Sequence, residues 1–302
     1  MDEVLLVNGP LDFSQMLLRP LSRPSKTVVV DASGHSYTRI IKLTRTRRRV
    51  PIRVSVESTL AGQGLLLETI KDLTLPERAE LRKRVRHMFS LEQNVSSFYQ
   101  CIRIDTAWDA LVEKLHGLRP ILDADLFESM VRVIVGQQLN VQFAATLLDR
   151  LVDLGGELIQ WNNLTLPVFP DAEQVASWSY EDLRSRSFSQ RKAEYVIDFA
   201  RTVVEGTLDL QQLFTMTEQE VCHQLMPLRG IGRWTVECFL LFGMGREDVM
   251  PAADIGVQNA IQKLYQLPQR PNEEAVRQLA QTWMPWRSYA TYYLWQSLIK
   301  PL

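Results

Sequence analysis

Leu228-Arg229-Gly230-Ile231-Gly232-Arg233-Trp234-Thr235 is the stretch on which the reading of this chain turns. Upstream lies Thr217-Glu218-Gln219-Glu220, whose threonine and glutamate three residues apart predict a capping box and a helix start. Downstream, Val236, Phe239, Leu240 and Phe242 recur at helical spacing and predict a second helix anchored in a core. The two glycines between them permit positive φ and close approach of the backbone. The second helix should open at about Gly232, with its free N–H groups outward at the positive end of its dipole. An anion can sit there without lysine contacts. Taken alone, the same glycines read equally well as a plain tight turn between helices.

Outward from this point the pattern stays helical. Phe127, Met130, Val131, Ile134 and Val135 form one apolar face, interrupted at Gly136-Gln137-Gln138-Leu139-Asn140. Asn140 can cap a helix to about Leu154, Ser189–Glu205 is a further helix stopped by Gly206, Asn272 caps one through Gln281, and Trp286–Ile299 is the last. Gly155–Ser177 carries the weakest signal for regular structure. Toward the N-terminus the period changes. Val50, Ile52, Val54 and Val56 alternate with Pro51, Arg53 and Ser55, the period of a strand. Lys26–Asp31, His35–Leu43 and Gly64–Ile70 are similar runs, with turns expected at Ala32-Ser33-Gly34 and Ala61-Gly62-Gln63-Gly64. Pro76 opens a helix as its first residue, and Thr106 caps another that runs to Gly117. The fold expected is α+β: residues 1–118 form a small antiparallel sheet with helices. Residues 119–302 form two all-α lobes, with the helix–hairpin–helix at about 218–243 and a cleft between the lobes.

The chain has 302 residues, 46% hydrophobic and 23% charged, an ordinary globular balance. No apolar run is long enough to span a bilayer, and the acidic start, Met1-Asp2-Glu3, lacks the positive segment of a signal peptide. Cys101, Cys222 and Cys238 form no CxxC pair, which argues against a disulfide framework and for a reducing compartment. The histidines 35, 87, 116 and 223 are scattered without metal-ligand spacing. Net charge is −1, unevenly placed: residues 1–118 carry +5 and residues 119–302 carry −6. An acidic helical half counts against nucleic acid as its partner, unless backbone amides hold the phosphates. The basic run Arg45–Arg49 reads as a solvated loop, a phosphate contact or a localisation signal.

With Asp254 in Val249-Met250-Pro251-Ala252-Ala253-Asp254 added, the stretch resembles the helix–hairpin–helix DNA glycosylase superfamily, most closely the bacterial inducible 3-methyladenine DNA glycosylase II, the AlkA type. Phe127–Asn140 is similar to that family's helix and DNA-wedge loop. Trp283–Ala290 is similar to its tryptophan-rich C-terminal segment, and Asp12-Phe13-Ser14 with Met16-Leu17 to the start of its N-terminal domain. The resemblance implies that Asp254 is the catalytic carboxylate, although an isolated aspartate near a helix start is more often a cap. Breaking an N-glycosidic bond builds positive charge on the sugar, which a preorganised carboxylate stabilises, and activation of the water is the alternative role of the same group.

The resemblance further implies that Trp234 and Trp295 line the base pocket, where stacked rings suit a cationic alkylated base. Trp234 stands where strand-cleaving relatives carry a Schiff-base lysine, which implies a monofunctional enzyme leaving an abasic site. Cys238 replaces a tyrosine of the family's pattern and alters the pocket. DNA contacts fall to Gly230, Gly232, Arg233 and Thr235. Gln138 or Leu139 fills the space of the flipped nucleotide, Leu139 being the better apolar plug. Arg23 matches a family position near the site, with a core or surface role as the alternative. No organic cofactor is required. The carbonyls of Met226, Leu228 and Ile231 match positions that hold Na+ or K+. The partner expected is double-stranded DNA with alkylated bases of the 3-methyladenine and 7-methylguanine type. The expected setting is a monomer in the bacterial cytoplasm, associated with the nucleoid and with no membrane. The rivals are an oxidised-purine glycosylase of the same superfamily and a non-catalytic damaged-DNA-binding protein, which would keep the hairpin without needing Asp254.

Overall fold

Val50, Ile52 and Val54 turn inward from the longest strand and are fully buried, whereas Val56, past the edge of the core, is 42% exposed. The computed structural model that shows this describes residues 2–31, 33–59 and 62–299. Ala32 of the first expected turn and Ala61 of the second lie outside the described residues. The strands are β1 (Asp2–Leu6), β2 (Val28–Val30), β3 (Ser36–Lys42), β4 (Arg49–Thr59) and β5 (Gly62–Thr69), in the order β1-β5-β4-β3-β2. Every pairing is antiparallel, with Val54 opposite Tyr37 on one side and Leu67 on the other. β1 was not expected. Its two leading acids hide a strand in which Leu5 alone is buried, and it is recruited by the open edge of β5.

Three helical details differ from expectation. A helix at Phe13–Ser22 is capped by Asp12, whose carboxylate accepts the Gln15 amide at 3.1 Å. A second unforeseen helix, Val95–Ile102, buries Val95, Phe98, Tyr99 and Ile102, a spacing of three and four that was present in the sequence. The cap near residue 106 is Asp105 rather than Thr106. It accepts the Ala107 amide at 3.0 Å and opens a single 3-10 turn, Thr106–Trp108, before the helix Asp109–Lys114. The weak segment after Gly155 holds a hairpin, β6 (Leu158–Trp161) and β7 (Leu164–Pro167), turned by Asn162 and Asn163, both at positive φ. Asparagine tolerates that geometry, and an Asn-Asn pair between apolar runs was its signal.

Two main cores result. One joins the N-terminal sheet and helices to the C-terminal helices, so that Leu5, Phe89 and Trp108 belong with Met250, Trp283 and Tyr293. The other gathers the intervening helices, from Leu126 to Val249. The helix Arg233–Phe242 is the wall between them. Val236, Phe239 and Leu240 enter the second core, and Cys238 and Leu241 enter the first. Phe242, expected in the same core as its neighbours, instead faces the C-terminal helix and stacks on Trp295.

The uneven charge of the two halves has a structural cause. Lys26 pairs with Asp153 at 2.6 Å, Arg39 with Glu128 at 2.6 Å, Lys42 with Asp171 at 2.7 Å, Arg49 with Glu157 at 2.8 Å, and Arg47 with Glu173. The basic N-terminal half thus neutralises acids of the helical half across their interface. Arg47 and Arg49 of the basic run serve that contact, while Arg48 is held within the N-terminal half by Asp72 at 2.6 Å. No helix among the described residues is long and apolar enough to cross a membrane.

Candidate active site

Asp254 is the N-cap of the helix Ile255–Leu264, with extended backbone at φ −70° and ψ 122°. Its Oδ1 accepts the Val257 amide at 2.9 Å, as a capping aspartate does. Capping does not exhaust the group. Trp295 donates its indole N–H to the same oxygen at 2.9 Å, and Trp234 donates to Oδ2 at 3.1 Å. A carboxylate can take about four donors, so Oδ2 retains acceptor capacity beside its single partner. The side chain is half-buried. Gly256 matters to this arrangement, because a Cβ there would lie 2.9 Å from Asp254 Oδ1 and 3.2 Å from the Trp295 ring.

The second hairpin helix begins at Arg233, with Gly232 as an N-cap that offers no side-chain acceptor. The amides of the first turn therefore keep the outward-facing positive end expected of them. The positive φ expected of both glycines is found at Gly230 alone, at +84°, where an added Cβ would lie 2.3 Å from the Tyr195 ring. Gly232 is extended, at φ −102°, with nothing within 4 Å of its Cβ direction. Ile231, 5% exposed, pins the turn to the second core. Arg233 is exposed and paired with Glu237 at 3.0 Å, and Arg229 pairs with Glu194 at 2.6 Å. Thr235 is turned inward and 2% exposed, so its backbone amide is the group left for a ligand at this helix end. The Leu228 carbonyl accepts the Ile231 amide at 3.1 Å, and the Met226 and Ile231 carbonyls belong to the same turn.

The loop after the helix Leu126–Gly136 is joined to the hairpin by Gln137, whose Nε2 donates to the Gly230 carbonyl at 2.8 Å and to Thr235 Oγ1 at 2.9 Å. Lys192 holds the other side, donating to the carbonyls of Ile134 and Gln137 at 3.0 and 2.7 Å. Burial lowers this ammonium to about 8. Between these anchors Gln138 projects at the apex, exposed and at φ +55°, while Leu139 is half-buried against the second core.

Cys238 lies close to Asp254 but is 3% exposed, and burial first, then the Asp254 and Glu237 charges, push its thiol well above the usual range. Two arginines from the N-terminal helix complete the surroundings. Arg19 is in the helix Phe13–Ser22 and Arg23 is its C-cap, and the Arg19 guanidinium sits 3.8 Å from the Phe242 ring centroid and 5.8 Å from that of Trp295. Burial lowers both, Arg23 to about 10 with the like charge of Arg19 as the next cause. The sequence pointed to Arg23 and not to Arg19. Its signal was the row Gln15, Arg19, Arg23 at intervals of four beside the buried Phe13, Met16 and Leu17. Among the described residues no group of three or more His, Cys, Asp or Glu side chains is placed to hold a metal ion.

Residues 131–285 match the family described as HhH-GPD superfamily base excision DNA repair protein. The protein YfjP of Bacillus subtilis (strain 168) is 37% identical over 222 residues, 74% of this chain and 76% of its own length. The DNA-3-methyladenine glycosylase of the same organism is 28% identical over 301 residues, 98% of both chains. Among solved structures, the 3-methyladenine DNA-glycosylase from Archaeoglobus fulgidus superposes with a TM-score of 0.85 over 98% of this chain and 97% of that one. At 24% identity, that likeness is one of fold.

Proposed function

The chain belongs to the HhH-GPD superfamily of base excision DNA repair proteins, and on that premise we propose that it is a monofunctional DNA glycosylase. It takes alkylated bases of the 3-methyladenine and 7-methylguanine type out of duplex DNA and hydrolyses the N-glycosidic bond. The observation that carries this reading is the Asp254 carboxylate, held by the Val257 amide and by two tryptophan indoles. Three N–H donors fix its direction before any substrate arrives. As the bond from C1′ to the base nitrogen breaks, its electron pair leaves with the base and the sugar becomes cationic. A carboxylate already aimed at that charge stabilises it without reorganising. Water then adds at C1′ and passes a proton to Asp254 or to solvent, leaving an abasic site and the freed base. The names of the relatives support the choice of alkylated bases.

The remaining parts belong to the same reading. The amides of Arg233, Trp234 and Thr235 receive a DNA phosphate at the open helix end. The carbonyls of Met226, Leu228 and Ile231, a set of hard oxygen donors on one turn, would hold a monovalent cation that supplies positive charge toward a phosphate. Gln138, exposed at the apex of its loop, fills the space of the flipped nucleotide, a role for which the half-buried Leu139 is less free. Trp234 takes the place of a Schiff-base lysine, and Lys192 is committed to loop carbonyls. The enzyme acts as a monomer in the bacterial cytoplasm, at the nucleoid.

The test is release of 3-methyladenine and 7-methylguanine from methylated duplex DNA by the wild type and by Asp254→Asn. The wild type should release both bases, and the variant should bind abasic DNA with little loss but release base at least a thousandfold more slowly. A wild type that releases no base removes the glycosylase reading. A fully active Asp254→Asn removes the carboxylate's role alone.

A further inference from the structure

Arg19 is a cation without an anionic partner. Among the described residues its guanidinium makes no ion pair and no hydrogen bond, although Arg39, Arg132, Arg277 and Arg287 of the interior each reach a carboxylate. Its contacts are ring faces: Phe242 at 3.8 Å, Tyr292 at 5.7 Å and Trp295 at 5.8 Å. Phe242 in turn stacks on Trp295, at 5.1 Å between centroids and 17° between planes. That same Trp295 donates to Asp254. The unpaired guanidinium therefore ends on the aromatic wall that carries the catalytic carboxylate's donor, and it feels the charges of Asp123 and Asp254 at a distance.

The Arg19 guanidinium covers the Phe242 ring and lies 5.8 Å from the Trp295 centroid, so a positive charge already stands beside the ring expected to meet the base. A base that is cationic before release would bring a second positive charge into a partly dried space, where like charges repel strongly. An uncharged purine meets the opposite situation. When its glycosidic bond breaks, the electron pair passes to the base, which is negative until it gains a proton. A guanidinium offers five N–H donors to such a group, and a carbonyl oxygen on the base edge is a good acceptor for two of them.

We propose that Arg19 is a specificity-determining residue of this site, narrowing the margin by which cationic methylated purines are released over uncharged bases that present a carbonyl oxygen. The inference rests on the glycosylase reading above and refines its substrate class. Arg23, the C-cap of the same helix, adds a second positive charge that Arg19 feels.

Single-turnover release from two duplex oligonucleotides tests this, one carrying 7-methylguanine, cationic before release, and one carrying hypoxanthine, uncharged with a carbonyl edge. Arg19→Gln should raise the ratio of 7-methylguanine to hypoxanthine release at least tenfold, and Arg19→Lys should keep most of the wild-type ratio. Thermal melting and abasic-DNA binding are read for each variant. Arg19→Met, which fills the stem's volume, replaces Gln if Gln unfolds. Equal slowing on both substrates, or an unchanged ratio, overturns the proposal and leaves a structural role. A wild type that releases neither base overturns the glycosylase reading together with it. A wild type that releases both, with a ratio insensitive to residue 19, overturns the Arg19 assignment alone.

Discussion

The indole nitrogen of Trp295 lies 2.9 Å from Asp254 Oδ1 and donates to it, although 41 residues of chain separate the two. The aromatic wall and the carboxylate are thereby one unit. Trp295→Phe keeps a ring for Phe242 to stack on and removes the donor. A hydrogen bond to a charged group contributes roughly 1.5–3 kcal/mol, so base release should slow by about 10- to 100-fold. The melting temperature should fall by several degrees at most, in line with that loss. A rate within twofold of wild type would show that the indole is a wall and not a positioning group for Asp254.

Gly256 tests the same unit from the backbone. A methyl group there would meet Asp254 Oδ1 at 2.9 Å and the Trp295 ring at 3.2 Å. Neither can retreat without breaking the bond between them. Gly256→Ala should therefore lower the single-turnover rate at least tenfold while abasic-DNA binding holds within about threefold, since displacing positioned groups costs rate before affinity. Equal losses in rate and binding would point to a wider disturbance.

Gly230 carries a separate demand. Its φ of +84° favours glycine, and its missing Cβ would penetrate the Tyr195 ring. Gly230→Ala should lower stability by about 2 kcal/mol or more, from the left-handed backbone and the clash together. DNA binding should weaken at least tenfold. Gly232→Ala meets neither obstacle within the protein and should melt like wild type. Equal melting of the two variants would contradict this division of labour.

The contrast between these glycines shows where the sequence was legible. The hairpin, its flanking helices, the helix start at Ser189 and the caps at Asn140, Thr217 and Asn272 were readable because each rests on contacts a few residues apart. Asp254 was readable as a cap from local pattern, and its proposed catalytic role came only from the resemblance. The meeting of Arg19 with Phe242, the turn of Phe242 toward Trp295, and the pairing of Lys26, Arg39, Lys42, Arg47 and Arg49 with acids beyond residue 120 were not. Each depends on segments far apart in the chain meeting at an interface, and no periodicity encodes such a meeting.

One of those meetings is buried. Glu128, 1% exposed, accepts from Arg39 at 2.6 Å and from Arg132 at 2.8 Å. Burial would raise this carboxyl, and the Arg39 and Arg132 charges outweigh it, so the carboxyl is held below its ordinary value. A depressed folded value means that the unfolded chain takes up the proton first as acid is added. The stabilisation is thus complete above the ordinary glutamate range and is lost as pH falls below about 4.3. Glu128→Gln leaves two arginines facing a neutral group and should cost about 3–5 kcal/mol at pH 7. Its melting temperature should also fall less steeply than wild type below pH 4.5. Parallel pH profiles would remove Glu128 as the source of the acid sensitivity.

The charges around the hairpin bear on how DNA is held. Arg229 is engaged by Glu194 at 2.6 Å and Arg233 by Glu237 at 3.0 Å, so neither is a free cation waiting for phosphate. If backbone amides at the Gly232 helix end take the phosphate, few counterions leave the DNA for each protein bound. The slope of log affinity against log salt measures that release at about 0.9 per phosphate neutralised by a basic side chain. Abasic-DNA binding by this protein should therefore show a shallow slope, about −2 to −3. Arg229→Ala and Arg233→Ala should each change it by less than about one unit. A slope of about −6 or steeper would mean that arginines leave their carboxylates to bind the backbone, and that the helix end is not the principal phosphate site. Titration by fluorescence anisotropy from about 50 to 200 mM salt spans the range in which the two cases diverge.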